Sequence, residues 1–338
     1  MKLKELGEFG LIEKINKKFS LNLPRNVIGI GDDCAVINQK DGHSLLVTTD
    51  LLIENVHFLK NNIHPKDLGY KSLAVNLSDI AAMGGTPQFA FLSVAMPTKL
   101  DTRWIADFCS GFYELANTEN VFLLGGDTTK SKSDIMISAV ILGKAKTTHI
   151  KKRSDAKLGD IICVTDFLGD SAGGLKVILN KYKKNKNALH LIKKHYRPKL
   201  HLCEGQWLAL HASVHAMMDI SDGIDSDIRQ IIKMSHCKMS HCGAEITIEN
   251  IPVSPTLKHF CKIHDLDPIS YALSGGEDYC LLFTTAPSTY QKLNQDFEAK
   301  FHHPLYKVGK IVNAKADLIY LQNGKPYKPK IHGYDHFI

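Results

Sequence analysis

A mixed α/β chain of two domains is the fold class the sequence predicts, on three observations. Short apolar runs of strand length alternate with longer segments of helical period. The 338 residues exceed one typical domain and suit two of ordinary size. Near residue 150 the polar stretch "HIKKRSDAKLGD" breaks the pattern before a fresh strand, "IICVT", which places the boundary between domains 1–148 and 149–338.

In chain order, "HSLLVTTDLLI" (43–53), apolar and β-branched, reads as a strand. "PKDLGYKSLAVNLSDIAAMGG" (65–85) has Pro65 at its start, a helical period and a Gly pair as its stop. "PQFAFLSVAMP" (87–97) is a strand bounded by prolines. Residues 101–120 form a helix with Asp101 as its N-cap. "VFLLGG" and "DIMISAVILGKA" follow as strands. In the second half come a helix after "GDSAGG", another around "CEGQWLALHASVH", a third opened by "MDISDG", then "SGGEDYCLLF" and a strand-rich tail.

Composition excludes several classes. The chain is 44% apolar and 23% charged, as in globular proteins with ample core. No apolar run approaches the roughly 18 residues of a membrane span. The N-terminal stretch has no apolar h-region, so a cytoplasmic location is expected. The eight scattered cysteines read as small buried hydrophobes in a reducing compartment. Much of the +7 net charge sits in the Lys-rich segment 181–199, which reads as solvated helix surface rather than a nucleic-acid site. The pentapeptide "KMSHC" occurs twice, at 233–237 and 238–242, and reads as a local duplication rather than a zinc site.

The carboxylates carry the chemistry. In "GIGDDCAVI" (29–37), Asp32 and Asp33 stand side by side at what reads as a strand start. Asp50 ends "LLVTTD", Asp79 lies inside an apolar helix, Asp127 follows a Gly pair, and Asp219, Asp222, Asp225 and Asp227 crowd "MDISDGIDSD". Ser72, Asn76 and Asp79 form a polar stripe beside Leu73, Leu77 and Ile80. Clustered buried carboxylates require cations or strongly raised pKa values. Mg²⁺, a hard cation with oxygen ligands including the hydroxyls of Thr48 and Thr49, fits, and it normally shares its shell with phosphates. "GGDTT" (125–129) and "SGGED" (274–278) read as turns where backbone N–H groups could approach an anion. Ser221 and Asp222 precede a helix N-terminus that could face phosphate, and Arg153 is a candidate phosphate clamp. There is no P-loop, no Rossmann glycine fingerprint and no protein-kinase motif set, so any nucleotide is held by another scaffold.

Taken together, "GIGDDCAVI", "TTDLLIENVHF", "KSLAVNLSDIAAMGGTP", "LLGGDTT", "DISDGIDSDI", "ALSGGEDYCLLF" and "GYDHF" closely resemble the thiamine-monophosphate kinases. These belong with the ATP-binding superfamily of aminoimidazole ribonucleotide synthetase. The resemblance implies an N-terminal α/β domain that forms a homodimer through its sheet, and a C-terminal α/β domain closing the cleft. It implies transfer of the γ-phosphoryl of ATP to thiamine monophosphate with several Mg²⁺ ions. By resemblance Asp33, Thr48, Thr49, Asp50, Asp79, Asp127, Asp219 and Asp222 are expected as metal ligands, with Asp33, Asp50, Asp79, Asp127 and Asp222 at the centre of catalysis. Gly126, Asp127, Arg153, Ser221 and Tyr113 are expected at the nucleotide, and His57, Glu277 and Tyr334 at the thiamine phosphate. The rival readings are another synthase of the same superfamily and, from a different class, a basic nucleic-acid-binding module on 181–199. The selenophosphate enzyme is expected to carry a Cys near its N-terminus, whereas the first here is Cys34. The hydrogenase-maturation protein is expected to end in a reactive Cys, whereas this chain ends "GYDHFI".

Overall fold

The computed structural model describes residues 3–236, 242–314 and 318–329. Tyr334 and the central part of the doubled "KMSHC", residues 237–241, lie outside them.

Helix α1 (Leu3–Phe19) precedes a sheet built from β1 (Val27–Ile28), β2 (Ala35–Asn38), β3 (His43–Ile53), β4 (Thr86–Pro97), β5 (Phe122–Ser131) and β6 (Met136–Lys146). The strand order is β1-β2-β3-β6-β4-β5, with β4 and β5 parallel. Helix α2 (Pro65–Ala82) follows β3 and α3 (Thr102–Thr118) follows β4. The second sheet comprises β7 (Ile161–Val164), β8 (Val214–Asp219), β9 (Gly243–Thr247), β10 (Leu281–Thr285), β11 (Tyr306–Val312), β12 (Leu318–Gln322) and β13 (Lys325–Tyr327), in the order β13-β12-β9-β11-β7-β10-β8. Its helices are α4 (Asp170–Leu179), α5 (Lys186–Tyr196), α6 (Leu202–Ala209), α7 (Ile224–His236), α8 (Pro255–Ile263), α9 (Pro268–Ser274) and α10 (Pro287–Phe301).

Side-chain periodicity explains which faces meet. On β3, Ser44, Leu46, Thr48 and Leu52 are buried while Thr49 and Leu51 are exposed, the period-2 signature of a half-covered strand. Helix α2 is buried almost all round because it lies between the two sheets. Its Leu73, Leu77 and Ile80 share one core with Leu46 and Ile141 of the first sheet and with Cys163, Met217 and Phe283 of the second. The alternate residues Ile162, Val164, Met218 and Leu282 point to the other face, into a core with Val177, Leu191, Ile228 and Leu257 from α4, α5, α7 and α8. Strands covered on both faces read as unbroken apolar runs, hence "IICV" and "LLFTT".

Local start signals hold: Pro65 occupies the first turn of α2, and Asp101 caps α3 by accepting from the Arg103 N–H. The Lys-rich segment forms α5, which buries Ala188, Leu191, His195 and Tyr196 and leaves most of its lysines in solvent. Several expectations need correction. "GGDTT" is not a turn but the middle of β5, hydrogen-bonded alongside β4 through a bulge at Leu124. Gly126 is required there because a Cβ would stand 1.7 Å from the Leu92 carbonyl oxygen, at φ +155. The strand-rich tail is interrupted by α10, and "GDSAGG" opens α4 rather than preceding it. Cys109 and Cys203 are exposed, unlike Cys34, Cys163, Cys242, Cys261 and Cys280.

Candidate active site

Four elements converge beneath the junction of the two sheets. The turn before β2 carries Asp33, β3 carries Thr48 and Asp50, α2 carries Ser78 and Asp79, and the end of β8 carries Asp219. One carboxylate oxygen from each of Asp33, Asp79 and Asp219 lies within 4.8 Å of the other two. Thr48 donates to Asp79, and Ser78 Oγ donates to Asp219 at 2.5 Å. Arg153 Nη2 reaches Asp33 Oδ1 at 2.5 Å, while its backbone N–H, like that of Asp33, is accepted by Asp32 Oδ1. Asp32 is therefore the turn ligand and Asp33 the one that faces the cluster. Asp33 Oδ2 is buried without a hydrogen-bond partner.

Burial and mutual repulsion push these acids upward. Asp219 rises to about 7, from burial and then the charge of Asp33. Asp50 rises to about 6, from burial and then Asp222. Asp79 rises well above its ordinary value, through burial, then Asp50, Asp219 and Asp33. Asp227 on α7, which reaches back to accept from the Asp222 N–H at 3.3 Å, is raised in the same way by burial and Asp222. Asp225 faces elsewhere and accepts from Tyr320 at 2.5 Å. Burial pulls the Arg153 guanidinium down, but Asp33 and Asp32 more than offset it and hold it charged. Three hard oxygen donors around an unpartnered carboxylate oxygen fit a hard divalent cation such as Mg²⁺.

Beside the cluster lies a cavity of about 730 Å³ between the sheets. Asp50, Ser221 and Asp222 are among its lining residues. Leu52, Phe58, Val75, Ala172, Ile178 and Tyr279 supply apolar walls, and His57 also lines it, its Nδ1 accepting from the Ile53 N–H at 3.0 Å. Glu277 enters from the segment after α9, between Lys71 of α2, 2.9 Å away, and His195 of α5, 3.1 Å away. Burial alone would raise the Glu277 carboxyl, yet Lys71 and His195 hold it well below the usual range. Sequence reasoning missed Lys71 and His195, and it named Asp227 among the clustered acids without giving it a place in the site. Nothing local marks Lys71, since Lys66, Asp67, Ser72 and Asn76 are also polar residues of the same helix.

The remaining candidates are elsewhere. Asp127 pairs with Ser93, Ser93 with Ser138, and Ser138 with Leu51, so Asp127 stands three strands, about 14 Å, from β3 and on the exposed face. Of these only Thr49, exposed beside the buried Thr48, borders the cavity next to Asp50, whereas Gly126 sits in the β5 edge and Tyr113 is exposed on α3. A single copy of the chain thus gathers Asp33, Thr48, Asp50, Asp79, Arg153, Asp219, Ser221 and Asp222, with His57 and Glu277 in the adjoining cavity. It does not bring Asp127, Gly126 or Tyr113 to them.

Fold and site together define a two-sheet α/β protein with a buried carboxylate cluster suited to a divalent cation beside a cavity, and comparison with known proteins narrows this. Residues 31–145 match the family model described as AIR synthase related protein, N-terminal domain. The chain is 40% identical over 336 residues to a thiamine-monophosphate kinase of Buchnera aphidicola from Schizaphis graminum, covering 99% of this chain and 100% of that one. It is 36% identical over 340 residues to the Escherichia coli K12 protein of the same name, covering 98% of each. Among solved structures, AaThiL complexed with AMPPCP and TMP superposes with a TM-score of 0.85 at 33% identity over 99% of both chains. The Aquifex aeolicus thiamine monophosphate kinase structure gives 0.80 at 32% identity, over 97% of this chain and 100% of that one. The chain belongs to the thiamine-monophosphate kinase family.

Proposed function

We propose that this protein transfers the γ-phosphoryl group of ATP to the phosphate of thiamine monophosphate, giving thiamine diphosphate and ADP. The observation that carries the reading is the convergence of Asp33, Asp79 and Asp219 beside a cavity of about 730 Å³ that Asp50 and Asp222 line. Family membership supports the same reading.

The acceptor is already an anionic phosphate, a ready nucleophile that needs little help from a general base. The barrier lies in bringing two polyanions together in line. Asp33, Thr48, Asp50, Asp79, Asp219 and Asp222 would hold Mg²⁺, which when bound neutralises and orients phosphate oxygens. Arg153, tied to Asp33, keeps a permanent positive charge beside the reacting groups. Leu52, Phe58 and Ile178 exclude water from the acceptor end, which strengthens every electrostatic contact inside. His57 and Glu277 would contact the thiamine phosphate, with Tyr334 as a third contact from the C-terminal end.

The two sheets support a division into an N-terminal domain, 1–148, and a C-terminal domain, 149–338, that closes the cleft. A homodimer through the first sheet is part of the proposal. Leu51, Phe89, Phe91, Phe122, Leu124 and Met136 leave its open face apolar, and Thr49, Gly126 and Asp127 then lie in the interface rather than in solvent. Gly126 is retained as a nucleotide contact on that basis, and Tyr113, exposed on α3, on the family resemblance. Phe91→Glu places a charge on that face and shifts the mass measured by light scattering from dimer to monomer; an unchanged mass would exclude this face. Among the described residues no helix is long and apolar enough to cross a membrane. A cytoplasmic location follows from the ATP chemistry and the free thiols of the described cysteines.

The test is product chromatography after incubation with Mg-ATP and either thiamine monophosphate or free thiamine. Thiamine diphosphate and ADP in equal amounts, from the monophosphate alone and abolished by EDTA, is the expected result. ATP consumption without thiamine diphosphate would overturn the assignment.

A further inference from the structure

A buried lysine is expensive to maintain, and Lys71 is only 1% exposed. Its Nζ lies 2.9 Å from Glu277 Oε1, and His195 Nδ1 lies 3.1 Å from Oε2, with Ser171 Oγ 3.0 Å from the same ring nitrogen. The backbone aims the carboxylate as well. Glu277 adopts φ +64, uncommon for a residue with a side chain, and its N–H donates to the Ser221 carbonyl at 2.7 Å. The next residue, Asp278, accepts from the N–H groups of Gly169 and Ser171 at the start of α4. Each carboxylate oxygen of Glu277 thus faces a basic side chain, Oε1 toward Lys71 and Oε2 toward His195.

Helix α2 relates this carboxylate to the acid cluster. Lys71, Val75 and Asp79 are spaced i, i+4, i+8 and share one helix face, so Lys71 and Asp79 stand about 12 Å apart along the axis at 1.5 Å per residue. Val75 lines the same cavity as Lys71, Glu277, Asp50 and Asp222. A ligand with its phosphate at the aspartates would set its far end against Glu277.

We propose that Lys71 and His195 are positioning residues that hold Glu277 as an anchored, ionised acceptor for the N–H donors of an amino-substituted nitrogen heterocycle, with α2 setting the distance from that ring to the phosphate. This rests on the thiamine monophosphate reading and deepens it: the site selects the amino group of the pyrimidine. An oxo group in its place would turn a carbonyl oxygen toward a carboxylate, leaving two buried acceptors facing each other without a proton between them.

The experiment compares thiamine monophosphate with the same monophosphate bearing an oxo group in place of the pyrimidine amino group. Affinity is read by calorimetry with Mg²⁺ present, and turnover by thiamine diphosphate or analogue formation. Wild-type protein binds the amino ring at least about 100-fold more tightly. Lys71→Met and Glu277→Gln each reduce that preference below about tenfold, while ATP affinity stays within about twofold. The double variant K71M/E277Q carries no buried charge pair. It keeps a melting temperature close to that of the wild type and still lacks the preference, which separates recognition from folding. Equal binding of the two rings by wild-type protein, or an undiminished preference in K71M and the double variant, would overturn the inference. Ring-selective binding without turnover would instead overturn phosphoryl transfer and uphold the inference, and binding of neither ring would overturn both.

Discussion

Replacing Asp219 with Asn tests the acid cluster at its most quantifiable point. Asp219 is 2% exposed, accepts from Ser78 at 2.5 Å and faces Asp33 and Asp79 within 4.8 Å. Two ionised carboxylates at that distance repel by about 3.5 kcal/mol at an effective dielectric near 20. Burial, and then the charge of Asp33, raise the Asp219 carboxyl to about 7 from 3.8, a cost of ionisation on the order of 4 kcal/mol. The sign follows from the direction of the shift. A carboxyl with a folded-state pKa above its unfolded value leaves the fold at full stability below the unfolded value and weakens it as pH rises through the folded one. Metal-free wild-type protein therefore loses stability between about pH 4 and pH 8, and Asp219→Asn removes that loss because its side-chain oxygen still accepts from Ser78. At about 2.1 cal/mol/K of unfolding entropy per residue, 4 kcal/mol corresponds to a melting temperature about 6 °C higher for the variant at pH 8 in EDTA. Near pH 4 the difference vanishes. Added Mg²⁺ reverses the order at pH 8, stabilising the wild type more than the variant. Turnover falls about 10²–10³-fold, as for loss of one group that stabilises transition-state charge. Scanning calorimetry across pH with and without Mg²⁺ reads all of this. A metal-free variant melting at or below the wild type at pH 8, or gaining as much from Mg²⁺, would refute the cluster.

Other outcomes follow from particular contacts. Asp33→Asn and Asp79→Asn each abolish nearly all turnover while circular dichroism stays that of the folded protein; full activity of either at ordinary Mg²⁺ would contradict the assignment. Gly126→Ala drives a Cβ against the Leu92 carbonyl oxygen 1.7 Å away at a left-handed φ, so urea unfolding should show a loss of more than about 2 kcal/mol. Leu282→Ala opens a cavity in the fully buried core against α4 and α7 and destabilises by about 2–5 kcal/mol, with KM for ATP unchanged.

The sequence alone determined most of the elements and the chemical character of the site. Hydrophobic period separates α2 from its flanking strands, and Pro65, Asp101 and the Gly84–Gly85 pair mark ends, because these signals act within one turn of the chain. The repeated aspartates already pointed to bound cations or strongly raised pKa values, because carboxylates buried close together repel. The motif series located the aspartates but not their sorting. Tertiary structure alone decided that Asp33, Asp79 and Asp219, up to 186 residues apart in the chain, share one point in space. It also decided that Asp127 lies on the far face of the sheet, because strand parity and register depend on pairing partners rather than on local sequence. "GGDTT" reads locally as a turn, and only its pairing along β4 makes it a strand. Lys71 and His195 each look like ordinary helix residues. They become a binding device only where α2, α5 and the Glu277 segment meet, and no local rule reports which buried charges will find each other.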